Sequence, residues 1–213
     1  MEREKAYRFR GINMTERFNQ TWWDKNLGQK FGEFKNWIGD FNAESKVFVR
    51  NHVRQQGYKT LADFGCGPAT EYFGYKNDGY EIHYMGIDSS WVLYSHATSQ
   101  GVPVLHSAVE EVPVPDSSFD VSFSRHVLEH LPTFRECLGE MIRTGKKEVI
   151  NIFFIEPTEE AEKIDFFVPD QLYHNRYNKK DIESFCLANP KVLSLRWERV
   201  NTKETVLFLS LKE

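Results

Sequence analysis

Two short apolar runs, each ending in an acid and separated by a glycine turn, constrain this chain more than any other feature. The first, Leu61-Ala-Asp63-Phe64, breaks into Gly65-Cys66-Gly67-Pro68; the second is Met85-Gly-Ile-Asp88. Strand, glycine turn, short helix, strand and terminal carboxylate form the pattern of a nucleoside-binding α/β half-unit. Glycines remove Cβ atoms, so backbone N–H groups can approach a ligand closely. Asp88 lies 21 positions after Gly67, near the roughly 20-residue spacing expected of an acid that accepts from ribose hydroxyls.

The turn departs from the full dinucleotide fingerprint. The third glycine of G-x-G-x-x-G would fall at Thr70, and Gly74 is expected to interrupt the helix that follows. A pyrophosphate needs a regular helix N-terminus close to it, so this loop suits a ligand without one. Here the motifs become specific. Asp63-x-Gly65-x-Gly67-Pro resembles the first motif of the class I S-adenosylmethionine-dependent methyltransferases, and Gly86-Ile-Asp88-Ser-Ser resembles their acidic loop. The block from Glu110 to Leu131 resembles the segment that runs into their fourth strand and the turn after it. Three blocks stand in the family's order over roughly residues 60–155.

Strand patterns fall at 59–64, 81–87, 102–105, 119–124, 147–155, 191–199 and 204–211, with helix patterns near 68–76, 89–100, 133–144 and 178–188. Alternation of this kind implies a parallel sheet with helices on both faces. Asn42 is positioned to cap a helix from Ala43 to about Gln55, with Gly57 ending it. Ser89 and Ser90 can cap the next-but-one helix, and Thr133-Phe-Arg-Glu136 fits a capping box closed at Gly145. About four residues, Asn201–Glu204, separate the last two strands, too few for a parallel crossover, so they should form an antiparallel hairpin. The expected fold is α/β: a Rossmann-like, doubly wound, seven-stranded and mostly parallel sheet. The resemblance implies that its last strand is inserted antiparallel. A single domain over 1–213 is expected, with a helical N-terminal cap at 1–56 and a cofactor-binding core at 57–213.

The aromatic residues Trp22, Trp23, Phe31, Phe34, Trp37 and Phe41 recur at helical spacing in that cap. They fit either a helix packed over the sheet edge or a lid over a site. Net charge is −4, so no global basic field argues for nucleic acid. Three cysteines with no repeating spacing give neither a disulfide framework nor a zinc site. A charged N-terminus without an apolar stretch behind it, and no run long enough to span a bilayer, lead to the expectation of a cytoplasmic protein without a membrane partner. Oligomeric state is open.

The resemblance implies S-adenosyl-L-methionine as cofactor, S-adenosyl-L-homocysteine as product, and a small-molecule acceptor methylated on oxygen or nitrogen. Carried over position by position, Asp63 meets the cofactor's α-ammonium, Gly65, Cys66 and Gly67 supply close backbone, and Asp88 with Ser89 takes the ribose. The family's acid at the adenine amino group would fall at Ala108 and Val109, which lack one. Adenine would then rest on the Val109 backbone, with Glu110 either substituting by a shift of one residue or remaining a solvated loop acid. Ser124 and Arg125 end strand four beside the methionine moiety; Arg125 has a guanidinium fork that also fits an acidic substrate.

His126-Val-Leu-Glu129-His130 resembles the Glu-x-x-Glu-His block of metal-dependent methyltransferases that act on quinone precursors and RNA 3′ ends, with His126 replacing the first Glu. That leaves a metal-assisted RNA-terminal enzyme using His126, Glu129, His130 and His174 as one alternative, and a catalytically silent binding protein as another. The preferred assignment has no metal and pairs Glu129 with His130 structurally. His126 is the first candidate for a general base, since its ordinary pKa near 6.5 lets it take a proton at neutral pH; a packing role is the alternative. Tyr173, His174, Asn175, Arg176 and Tyr177 form a second candidate substrate wall, with His174 as the second catalytic candidate, unless these residues only start the helix capped by Asn178.

Overall fold

The computed structural model describes residues 23–24, 40–167 and 172–212. From residue 40 on, helix α1 (Glu44–Gln56) leads into β1 (Thr60–Phe64), α2 (Thr70–Asn77), β2 (His83–Asp88), α3 (Trp91–Ser99) and β3 (Val104–His106). The second half runs β4 (Phe119–Arg125), a 3₁₀ turn (Leu128–His130), α4 (Arg135–Thr144) and β5 (Gly145–Phe153). A small ribbon of β6 (Phe166–Phe167) and β7 (Leu172–Tyr173) precedes α5 (Lys179–Ala188), β8 (Val192–Arg199) and β9 (Thr205–Leu211).

Seven strands join in the order β3-β2-β1-β4-β5-β9-β8. Neighbours from β3 to β5 are parallel, while β9 is antiparallel to both β5 and β8. The expected sheet, inserted strand included, is the observed one. The chain leaves β1 toward β2 on one side and returns to β4 on the other. Loops after β1 and β4 therefore open at the switch point, where α/β sheets place ligands. Phe64 pairs with Ser124, which sets Gly65 beside the turn after β4.

Strand alternation divides the core between the two faces. On β9, Val206 and Phe208 pack with Leu61, Val121, Phe123, Ile150 and Ile152 beneath Val49 and Val53 of α1. Leu207, Leu209 and Leu211 face the other way, with Phe64, Val149 and Phe153, onto Leu138, Met141 and Ile142 of α4. These helices bury one stripe each, as a 3.6-residue period requires.

Several local expectations change. Residue 43, not Asn42, begins α1, and it offers no side-chain cap; the Asn42 N–H instead donates to Asp40 Oδ1 at 2.8 Å. Gly57 does end α1 in the left-handed region, φ 70°. Gly74 does not interrupt α2. It sits inside the helix because the buried Arg50 guanidinium lies where a side chain would begin: a Cβ at Gly74 would come within 2.5 Å of Nη1. Arg50 donates there to Asp78 Oδ2 at 2.8 Å and to the Phe41 carbonyl at 2.7 Å, which locks α1 onto α2. Thr133 accepts from the Arg135 N–H at 3.2 Å, but Phe134 is the cap residue of α4 and no capping box forms. Ser90 caps α3 and Asn178 caps α5 as expected. Of the N-terminal aromatic stripe only Trp23 and Phe41 fall within the described residues; Trp22, Phe31, Phe34 and Trp37 lie outside them.

Candidate active site

The glycine turn after β1 is built from left-handed backbone: Gly65 (φ 68°), Gly67 (φ 56°) and Ala69 (φ 57°). Only glycine takes that region without steric cost. Gly65 is further constrained, since a Cβ there would fall 2.5 Å from Cγ2 of Val127. The Gly65 and Cys66 amides donate to the Ile87 carbonyl at 2.8 and 3.1 Å, which folds the turn back over β2. Asp88 then fastens it. Its Oδ2 accepts from Gly67 N–H at 2.8 Å and its Oδ1 from Ser90 N–H at 2.9 Å.

Around this turn opens a cleft of about 680 Å³. Asp63, Gly65, Cys66, Gly67, Asp88, Ser89 and Val109 line it, as do both catalytic candidates, His126 and His174. Two proposed cofactor contacts do not. Ser124 is fully buried and donates to Asn151 Oδ1, because even positions of β4 face the α4 layer rather than the strand end. Glu110 lies in the turn after Val109 and is absent from the lining. Val109, 6% exposed, is left as the apolar wall there.

Burial dominates the carboxylates of the cleft. It raises Asp63 to about 8, against the Tyr84 hydroxyl that donates to it at 2.6 Å. It raises Asp88 to about 6, against the Ser90 and Gly67 amides. Glu71, missed in the sequence, also lines the cleft; it is raised by burial, and its Oε1 has no hydrogen-bond partner. Lys46 on α1 faces the same space, 3% exposed, with its ammonium lowered to about 8 by burial against the pull of Glu71. A buried ammonium beside two buried carboxyl groups is complementary to a zwitterion. No short sequence motif marks this set, because α1 and α2 bring it together. The Cys66 thiol is pushed well up by burial and stays protonated.

The opposite wall begins at the end of β4. His126 holds a left-handed backbone, φ 57°, and its N–H donates to the Ile152 carbonyl at 2.9 Å. Such a conformation costs a non-glycine residue on the order of 1 kcal/mol or more and persists where surroundings over-determine it. Its Nε2 lies 2.8 Å from Glu204 Oε1. Burial would raise Glu204, but donors from His126, Asn201, Arg125 and Ser45 outweigh it and hold the carboxyl well below its usual range. Burial lowers His126 below its ordinary value, outweighing the carboxylate. His130 Nδ1 lies 2.8 Å from the Tyr173 carbonyl, and burial lowers this ring to about 4. Phe154 packs on both imidazoles at 5.0 and 5.3 Å, and Trp23 meets His130 edge-on at 6.5 Å.

Arg125 also lines the cleft, with its Nη2 donating to Glu204 at 2.9 Å and its Nε to Ser45 at 3.3 Å. Glu129 does not pair with His130. Fully buried, it turns below the cleft and accepts from the Phe154 and Ile155 amides at 2.7 and 3.4 Å. That orientation removes it from any ligand set with His126 and His174, and among the described residues no group of three or more His, Cys, Asp or Glu is arranged to hold an ion. Of the second wall candidates only His174 reaches the cleft. Tyr173 contributes its carbonyl to His130. Asn175 and Tyr177 face inward and donate to the carbonyls of Leu128 and Leu131, while Arg176 is exposed.

Known proteins agree with this architecture. Residues 62–153 match the model of a family described as a methyltransferase domain. Phosphoethanolamine N-methyltransferase 1 of Arabidopsis thaliana is 27% identical over 138 residues, 61% of this chain. A phosphoethanolamine N-methyltransferase of Triticum aestivum is 28% identical over 142 residues, 62% of this chain. In each case the match spans 28% of the relative's own length. Among solved structures, a phosphoethanolamine N-methyltransferase 2 of Haemonchus contortus, with phosphomonomethylethanolamine and S-adenosylhomocysteine, superposes with a TM-score of 0.66 at 12% identity. That superposition covers 92% of this chain and 60% of the other. The 1,6-didemethyltoxoflavin-N1-methyltransferase of Burkholderia thailandensis gives 0.66 at 12% identity over 91% and 88% of the two chains. The domain match, the fold and a glycine turn fastened by the acid of the second strand together make the chain similar to the class I S-adenosylmethionine-dependent methyltransferases.

Proposed function

We propose that this chain methylates a small-molecule amine, with S-adenosylmethionine as donor. The residues of the cleft fit that donor. Val109 offers an apolar face, Asp88 retains acceptor capacity beside Ser89, and Asp63, the unpartnered Glu71 oxygen and Lys46 suit an amino-acid zwitterion. When bound, the cofactor supplies an electrophilic methyl group on a sulfonium.

One observation carries the choice of an amine. Both imidazoles at the far wall are neutral, and each has one nitrogen engaged by an acceptor, Glu204 for His126 and the Tyr173 carbonyl for His130. A ring nitrogen that faces an acceptor carries the hydrogen, so its partner nitrogen in each ring holds a lone pair. The lone pair of His126, beside Phe154, suits a nucleophile that brings N–H groups and positive charge. An aliphatic amine is protonated at neutral pH and has no lone pair until it loses a proton. His126 then takes that proton while the aromatic wall excludes water and aligns the nitrogen. The similarity to phosphoethanolamine N-methyltransferases supports the same acceptor class. The test is transfer of a labelled methyl group to a panel of small amines, phosphoethanolamine among them, beside matched alcohols. Amine products are expected; transfer to the alcohols alone would overturn the proposal.

A further inference from the structure

Glu204, at the tip of the β8–β9 hairpin, is 78 residues from His126 in sequence, yet two other parts of the fold, α1 and the end of β4, converge on its carboxylate. Its Oε1 accepts from Ser45 Oγ of α1 at 2.8 Å, Arg125 Nη2 of β4 at 2.9 Å, and His126 Nε2 at 2.8 Å. Its Oε2 accepts from Asn201 Nδ2 at 2.8 Å. The side chain is 10% exposed. An ionised carboxylate has no hydrogen to give, so the hydrogen of the His126 contact belongs to Nε2.

We propose that Glu204 is a positioning residue for methyl transfer: it fixes His126 as the Nε2–H tautomer, so that Nδ1 is the nitrogen that receives the acceptor's proton. This rests on the reading of His126 as base and names the group that sets its state. A plain tether for the hairpin would not need the ring. The His126 backbone is already held by its own N–H to Ile152, and the hairpin by Asn201, whose Oδ1 accepts from the Glu204 amide at 2.9 Å. The contact therefore acts on the imidazole. Charged and titratable groups around that ring are Glu204 from the hairpin, Arg125 from β4, Lys46 from α1 and His130 from the 3₁₀ turn. Glu204 is the only carboxylate among these four. Without it the ring faces Arg125 and Lys46, which disfavour the imidazolium.

The test reads the tautomer directly, by nitrogen-15 spectra of labelled histidine in the full chain, assigned through His126→Gln. Wild type should show a protonated Nε2 and a bare Nδ1 for His126. Glu204→Ala should mix the tautomers and move the ring's titration to lower pH. Glu204→Gln, whose amide oxygen still accepts, should keep the tautomer while its titration also moves lower. Turnover should fall roughly 10- to 100-fold in Glu204→Ala, with the acid limb of the kcat profile displaced and affinity for S-adenosylhomocysteine retained. A wild-type Nδ1–H tautomer, or a Glu204→Ala spectrum and titration like wild type, would overturn the proposal. If Glu204→Ala fails to fold, wild type and Glu204→Gln decide the matter. The spectra use neither donor nor acceptor. The expected tautomer without transfer to any amine would therefore reject the functional reading alone, and transfer with the wrong tautomer would reject the role of Glu204 alone.

Discussion

The Gly67 amide donates to Oδ2 of Asp88 at 2.8 Å, so the acid that ends β2 also holds the turn that ends β1 in place. Asp88 is thus the fastener of the turn, and in the proposed function it is also the ribose contact. Asp88→Ala should weaken S-adenosylhomocysteine binding by on the order of 1.5–3 kcal/mol, the scale of charged hydrogen bonds. Titration calorimetry would measure it. Unchanged affinity would place the ribose elsewhere.

Gly65 and Val127 meet so closely that Gly65→Ala should disturb both walls of the cleft. The added methyl would lie 2.5 Å from Val127 Cγ2, one residue from His126. Val127→Ala in the same chain makes room but leaves the strain of φ 68°. Cofactor affinity should fall in the single variant and recover only in part in the double. Full recovery would show that backbone strain at Gly65 is negligible.

Asp63 gives the unliganded protein a pH dependence of defined sign. Its folded pKa of about 8 stands above the ordinary value of 3.8, so the folded state holds the proton more tightly than the unfolded one. Its contribution is complete below about pH 4 and is lost as pH rises through 8. An ammonium brought beside Asp63 favours the carboxylate, so cofactor binding near neutral pH should release a proton. Calorimetry in buffers of different ionisation enthalpy would detect it, and Asp63→Asn should abolish the release.

Glu129 should prove structural. Removing its carboxylate in Glu129→Ala strands the Phe154 and Ile155 amides, at a cost on the order of 1–3 kcal/mol for each amide left buried without a partner. Glu129→Gln keeps an acceptor oxygen and relieves a carboxyl raised to about 7, so it should be close to neutral. Urea unfolding of the two variants separates these outcomes. Equal losses would point to a role for the charge itself.

His126→Ala should reduce turnover by roughly 10²–10⁴-fold while S-adenosylhomocysteine binds as before. Near-normal turnover would leave His126 a packing residue.

The sheet was legible because strands buried on both faces write themselves as short apolar runs, and because Gly65, Gly67 and Asp88 are a local signature within one βαβ unit. The hairpin of β8 and β9 followed from the length of one loop. Local signals misled where a tertiary contact overrode them: Gly74 looked like a break, and the structure uses it to seat Arg50. Ser124 looked like a cleft residue, and strand alternation turned it toward Asn151. Glu129 and His130 are neighbours in sequence, and the 3₁₀ turn sends them to different partners.

By itself the sequence determined the strand order's half-unit, the cofactor turn and its acid, since each depends on backbone geometry that neighbouring residues impose. Only tertiary structure decided the company His126 keeps. Glu204, Arg125, Ser45 and Lys46 come from the β8–β9 hairpin, β4 and α1. The state of a titratable group is set by burial and by charges a few ångströms away through space, and no periodicity along the chain records that distance.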